Sequence, residues 1–125
     1  MEKRFRVIYI AGKYYGKSYS EIDDNIHRAE KVSLKLLLKG FCVLTPHLNT
    51  AHFERYSFIT GFDLNKWLEL DFELLRRCDC IFLMSGWEDS LGAVEEHKFA
   101  KEHKIKIYYE SEGIPESDET KGKEK

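Results

Sequence analysis

The chain has 125 residues, 42% of them hydrophobic and 34% charged, with a net charge of -2. That length suits one ordinary domain and excludes two full cores. The charge excludes a general nucleic-acid surface, which needs a clustered basic excess. No apolar run approaches the roughly 18 residues that would span a bilayer.

The first apolar run, Val7-Ile8-Tyr9-Ile10-Ala11, is β-branched and apolar on both faces, the pattern of a strand covered on two sides. Gly12 ends it, and a loop rich in Lys, Tyr and Gly follows. Ser20, with Asp23 three residues on, predicts the cap of a long helix. Ile22, Ile26, Ala29, Val32, Ser33, Leu36 and Leu37 fall on its apolar face, and Gly40 stops it. Residues 41–45 predict a second strand, closed by Pro46.

From His47 to Asp63 the periodicity is lost. A loop this long in a small domain is functional or disordered, and Phe53, Tyr56, Phe58 and Phe62 argue for a lid or pocket wall. Asp63 caps a second helix whose stripe holds Leu64, Trp67, Leu68, Leu74, Leu75 and Cys78. Residues 80–84 predict a third strand. Asp89 or Ser90 then caps a third helix running to about His103, and residues 105–109 predict a fourth strand.

The predicted domain covers 1–110, and 111–125 reads as a charged, disordered tail. The alternation predicts an α/β fold: a flavodoxin-like or Rossmann-like parallel sheet of four to five strands with helices on both faces. Ligands of such sheets bind beyond the carboxyl ends of the strands.

Three cysteines, Cys42, Cys78 and Cys80, with no secretory signal, point to reduced thiols and a cytoplasmic location. Neither they nor the five histidines show metal-ligand spacing.

Two acids occupy apolar stripes. Asp71 shares its face with Trp67, Leu68, Leu74 and Leu75, where a carboxylate needs a partner or a site role. Glu96 shares a face with Gly92, Ala93, Phe99, Ala100 and His103, whereas Glu95 lies on a mixed, wetter face. Helical phase therefore selects Glu96 as a nucleophile or base at the ligand edge.

The helix start at Ser90-Leu91-Gly92-Ala93 offers free N–H groups to an anion, although capping and tight packing explain such a start more often than phosphate binding does. Asn25 lies near the apolar face of the first helix, suited to packing or a turn contact. His47 follows Pro46 and can face the cleft. Tyr9 and Trp87 can stack on a base or sugar, or serve as core aromatics.

Taken in order, Tyr9-Ile10-Ala11-Gly12, Asn25, Pro46-His47-Leu48-Asn49, Trp67-Leu68-Glu69-Leu70-Asp71 and Gly86-Trp87 through Ser90-x-Gly92-Ala93-x-x-Glu96 resemble the nucleoside 2-deoxyribosyltransferase-like proteins. That family includes the 2'-deoxynucleoside 5'-monophosphate N-glycosidases, and the chain resembles a small branch of it. The resemblance implies a flavodoxin-like fold and cleavage of an N-glycosidic bond, by hydrolysis or base exchange, without a cofactor. It places the nucleophile at Glu96, its acidic partner at Asp71 and a nearby tyrosine at Tyr9. Ala11, Gly12, Asn25, His47, Trp87, Ser90 and Gly92 fall at substrate-binding positions, and Ser90, six residues before the Glu, implies a 5'-phosphate. It also implies a homodimer or higher homo-oligomer. The partner expected is a small nucleoside or nucleotide, with no nucleic acid polymer and no membrane. The transferases complete their site with a C-terminal Asn from a neighbouring subunit, for which the charged tail offers no equivalent. The alternative is a non-catalytic nucleotide-binding or sensing module using the same cleft.

Overall fold

The computed structural model describes residues 4–117. Four strands, β1 (Val7–Ala11), β2 (Cys42–Leu44), β3 (Cys80–Leu83) and β4 (Lys106–Tyr109), form one sheet in the order β2-β1-β3-β4. Every neighbouring pair is parallel. This is the α/β, Rossmann/flavodoxin-like arrangement that the alternation predicts, with four strands.

Successive side chains of a strand point to opposite faces, and β1 divides its residues accordingly. Ile8 and Ile10 join Ala29, Val32 and Leu36 of α1 (Tyr19–Leu38) on one face. Tyr9 and Ala11 join Leu75 of α4 (Leu64–Arg76) and Phe99 and Ala100 of α5 (Leu91–Glu102) on the other. A strand covered on both faces needs apolar residues throughout, which is why 7–11 and 80–83 read as unbroken runs. β3 is buried at all four positions.

The helix starts follow local capping chemistry. Ser18, not Ser20, caps α1, its Oγ accepting from the Glu21 N–H at 3.2 Å. Glu21 in turn reaches back to the Lys17 N–H at 3.1 Å, so this acid, rather than Asp23, completes the cap. Asp63 caps α4 through the Lys66 N–H. Ser33, on the apolar face of α1, is satisfied by the Ala29 carbonyl at 2.7 Å and Thr45 Oγ1 at 2.6 Å. Leu37, expected on that face, is half exposed.

The stretch read as one long loop is partly helical. It holds α2 (Pro46–Asn49), a 3-10 turn at Phe53–Tyr56 and α3 (Ser57–Thr60). Four-residue helices are too short to print a periodicity. Pro46 sits at the first helical turn, where its missing N–H costs nothing. His52 takes a left-handed backbone at φ 64°, reversing the chain between α2 and the 3-10 turn.

Beyond β4 the chain remains against the body as far as it is described. Ile114 packs on the α1-side core, the Ser117 N–H donates to the Lys39 carbonyl at 3.0 Å, and Lys39 pairs with Glu116. Ile114, Glu116 and Ser117 of the expected tail are therefore in contact with the domain, and 118–125 lie outside the described residues. No helix among the described residues is long and apolar enough to cross a membrane.

The strand order creates one switch point. From β1 the chain crosses through α1 to β2 on one side, and β3 and β4 lie on the other. Crossovers that leave in opposite directions open a crevice at the carboxyl end of β1 and β3.

Candidate functional site

That crevice holds a cavity of about 360 Å³. Its floor is the end of β1, Ile10 to Gly12, and one wall is the start of α5, Ser90 to Glu96. The opposite walls come from the β1–α1 loop, α2, the 3-10 turn and α4.

Glu96 lies one and a half turns into α5 and is 6% exposed. The Tyr9 hydroxyl donates to its Oε2. Burial pushes the Glu96 carboxyl up to about 8, the negative charge of Asp71 adds to the rise, and the Tyr9 hydrogen bond opposes it. Tyr9 is wholly buried in β1, and burial followed by the Glu96 charge raises its phenol well above the ordinary value, so it stays a proton donor.

Asp71, on the inner face of α4, is pushed up to about 6 by burial. Among the described residues its side chain has no hydrogen bond and no ion pair, so the alternative of a capped or paired Asp finds no partner here. Two carboxyls thus meet at the cavity with unlike proton affinities, an arrangement suited to acid–base work.

Ser90 caps α5, its Oγ accepting from the Ala93 N–H at 3.2 Å, and it lines the cavity. Ser90 therefore caps the helix and also faces the cavity. A Cβ added at Gly92 would meet nothing nearer than Ser90 Oγ at 4.0 Å, so packing within the chain does not call for glycine there. At Gly12 the opposite holds: a Cβ would meet Met84 Cε at 2.4 Å.

His47 is buried in α2 and lines the cavity. Its Nε2 bonds the Lys13 carbonyl at 3.0 Å, and burial lowers its pKa, which keeps the imidazole neutral. Ala11 and Gly12 also line the cavity. Asn25 and Trp87 do not. Asn25 donates from Nδ2 to the Tyr14 carbonyl at 2.9 Å and so holds the loop that forms the wall. Trp87 packs on His97, with ring centroids 4.5 Å apart, and on Tyr109.

Several lining residues gave little signal in the sequence. Trp67, Leu64 and Leu68 belong to an apolar stripe and read as core. Trp67 is only half-buried, braced edge-on by Phe62 at 5.2 Å and Phe53 at 6.3 Å. The aromatic-rich loop predicted a wall but not which ring forms it. Tyr14 and Tyr15 sat in a loop with no periodicity, and nothing marked Glu54. Among the described residues no group of three His, Cys, Asp or Glu could hold a metal, and all three cysteines are free thiols.

Comparison with known proteins gives a family and a fold. A family model described as a domain of unknown function, DUF4406, matches residues 6–109. No curated protein sequence matches the chain. Among solved structures, a 2-deoxyribosyltransferase from the psychrotolerant bacterium Bacillus psychrosaccharolyticus superposes with a TM-score of 0.50 at 18% identity, covering 82% of this chain and 70% of that one. At that identity the likeness is one of fold.

Proposed function

The chain belongs to the DUF4406 family, and we propose that it cleaves the N-glycosidic bond of a (deoxy)nucleoside 5'-monophosphate or nucleoside, with Glu96 as nucleophile. The observation that carries this reading is the buried Glu96 carboxyl at the cavity, bonded by Tyr9 and raised by burial and by Asp71. The fold shared with a 2-deoxyribosyltransferase supports the same substrate class.

Glu96 and Asp71 act as a coupled pair that carries one proton between their two values. The proton rests mainly on Glu96, the group of higher affinity; the reactive form is the minor arrangement in which it has moved to Asp71 and Glu96 is ionised, its charge held by the Tyr9 hydroxyl. A Glu96 oxygen attacks the anomeric carbon, the bond from that carbon to the base nitrogen breaks, and the bonding electrons leave with the base. Asp71 gives its proton to the departing base. As carboxylate it then takes a proton from water, whose oxygen attacks the anomeric carbon and releases Glu96. A second base in place of water makes the same intermediate a transfer reaction. The positive end of α5 at Ser90, with Lys13 also lining the cavity, suits a 5'-phosphate.

A panel of deoxynucleoside monophosphates and nucleosides incubated with the protein, with chromatography for free base, tests the reading. Free base from at least one substrate, lost in Glu96→Gln, is expected. No free base from any, or equal release by Glu96→Gln, sinks it. Nucleotide binding without turnover would leave a binding or sensing module in its place.

A further inference from the structure

The proposed chemistry fixes where the base must lie but not what holds it. Asp71 gives its proton to the departing base, so the base comes within hydrogen-bond reach of α4. On a helix each Cα–Cβ bond tilts toward the N-terminus, and residues four apart lie one above the other on the same face. Trp67 stands four residues before Asp71 on α4, and both line the cavity. The Asp71 carboxyl therefore leans over the turn that carries the indole.

The two tryptophans differ in their surroundings. Trp87 lies outside the cavity lining, its ring against His97 with centroids 4.5 Å apart. Trp67 is only half-buried, and the two rings that brace it, Phe62 and Phe53, stand at 78° and 62° to it. Among the described residues no ring lies stacked on the indole. Leu64 and Leu68 continue the same cavity wall, so beside Asp71 it offers a flat ring and hydrocarbon. Tyr15 lines the cavity too. Burial raises its phenol pKa, and the charges of Glu54 and Asp71 add to the rise, which puts a second ring near the Asp71 end. The Tyr14 hydroxyl is engaged elsewhere: it donates to Glu54 Oε1 at 2.8 Å and accepts from the His52 N–H at 2.7 Å.

We propose that Trp67 is the platform for the base, which stacks on the indole beside Asp71. This rests on the nucleotide reading of the same cavity. Every base has a π face whatever its edge carries, so stacking holds it without reading its polar groups. A ring nitrogen receives its proton in the plane of the base. Stacking covers the face and leaves that edge open to Asp71, so binding and proton transfer use different parts of the same base.

Calorimetry on the full chain carrying Glu96→Gln, which blocks turnover, tests this. The ligands are the tightest binder among dAMP, dGMP, dCMP and dTMP, and 2-deoxyribose 5-phosphate, which has no base. Stacking on an aromatic ring changes affinity by about five- to hundredfold per base. Adding Trp67→Leu should weaken the nucleotide by at least that lower factor and leave the sugar phosphate, measured by displacement, nearly unchanged. Trp67→Phe, which keeps a ring, should recover most of the nucleotide affinity. A role in folding alone weakens both ligands together. Fluorescence gives a second readout that does not need the Leu variant. The nucleotide should quench the tryptophan emission of the Glu96→Gln protein, and the sugar phosphate should not. The quench should vanish when Trp67→Phe is added and Trp87 alone emits. A bound nucleotide without a quench, or with one that survives Trp67→Phe, overturns the inference. So does a Trp67→Leu protein that binds the nucleotide as before or weakens both ligands alike. In each of these cases the cavity still binds nucleotide and the proposed function stands. No binding of any of the four nucleotides removes the nucleotide reading and the inference with it.

Discussion

Tyr9 and Glu96 are 87 residues apart in sequence, yet the phenol of one donates to the carboxyl of the other at the floor of the cavity. One sits on the central strand, the other on the helix after the neighbouring strand, so the pair spans the switch point of the sheet. Burial disfavours the charge on Glu96, and Tyr9 is the group that opposes burial. Tyr9→Phe should leave the cavity shape intact and raise the Glu96 pKa further. The loss of a hydrogen bond to a charged group lowers kcat by about ten- to hundredfold. The upper limb of the pH–rate profile should also move to higher pH. A profile of kcat between pH 5 and 10 for both proteins checks this, and an unshifted limb contradicts it.

The pair itself sets a second expectation. If the reactive form carries one proton on Glu96 and Asp71 together, kcat/KM should be bell-shaped, with limbs near 6 and 8 for the pair as a whole. Asp71→Asn removes the proton donor to the leaving base and with it the upper limb, leaving a single acidic limb from the ionisation of Glu96. Its kcat should fall by about a hundredfold or more, and substrates with better leaving groups should lose less. A flat profile between 5 and 9 would rule out a one-proton pair.

The same burial ties stability to pH. Glu96 binds its proton more tightly when folded, at about 8, than at the ordinary value of 4.5. Asp71 is raised in the same direction. The stability from the protonated forms is full below the ordinary carboxyl values. It is lost as pH rises through about 6 for Asp71 and about 8 for Glu96. For Glu96 alone the swing between pH 4 and pH 9 is on the order of 3–5 kcal/mol. Glu96→Gln, neutral at every pH, should be the more stable protein at pH 9 and should show a flatter profile in denaturant unfolding.

How much of this was legible in the sequence depends on the length over which each feature repeats. The α1 stripe and the doubly covered β1 extend far enough to show their period, and the parallel sheet follows from them. The helical phase of α5 separated Glu96 from Glu95, and Glu96 is the buried one. Asp71 was visible because an acid on an apolar stripe breaks a regular pattern. Trp67 was not distinguished, because a residue that walls a cavity has the same chemistry as one that fills a core. Glu54 left no trace, because its partners Tyr14 and His52 come from segments without periodicity. Asn25 and Trp87, taken as substrate positions, instead support the loop and the helix that form the walls.

Gly12 offers a test of the fold rather than of the chemistry. It ends β1 against Met84, and the Cβ of Gly12→Ala would meet Met84 Cε at 2.4 Å and Met84 Cβ at 3.0 Å. The thioether end can swing away, but the backbone-linked Cβ cannot without moving the end of β3. Overpacking of this kind costs about 1–3 kcal/mol. It also lifts the cavity floor, so nucleotide affinity should fall along with the melting temperature. Gly92→Ala, where a Cβ meets no close protein atom, should leave stability nearly unchanged and reduce affinity alone. Thermal unfolding and calorimetry on the two variants separate a glycine kept for packing from one kept for ligand approach.

Ser90 combines both roles, and its removal should separate them. Its Oγ accepts from the Ala93 N–H, so Ser90→Ala loses the α5 cap and about 1 kcal/mol of stability. Its hydroxyl proton is free for a phosphate oxygen, and the capped helix start turns its positive end toward the cavity. Both contributions act on the phosphate and neither acts on the sugar or base. Ser90→Ala should therefore raise KM for a nucleoside 5'-monophosphate by about tenfold, the size of one hydrogen bond to a charged group, and leave KM for the matching nucleoside unchanged. Ser90→Asp keeps a good cap, so stability should return, but it sets a negative charge against the phosphate. Its KM for the monophosphate should rise further while the nucleoside is spared. If Ser90→Ala and Ser90→Asp alter monophosphate and nucleoside alike, Ser90 serves α5 alone and the 5'-phosphate lies elsewhere.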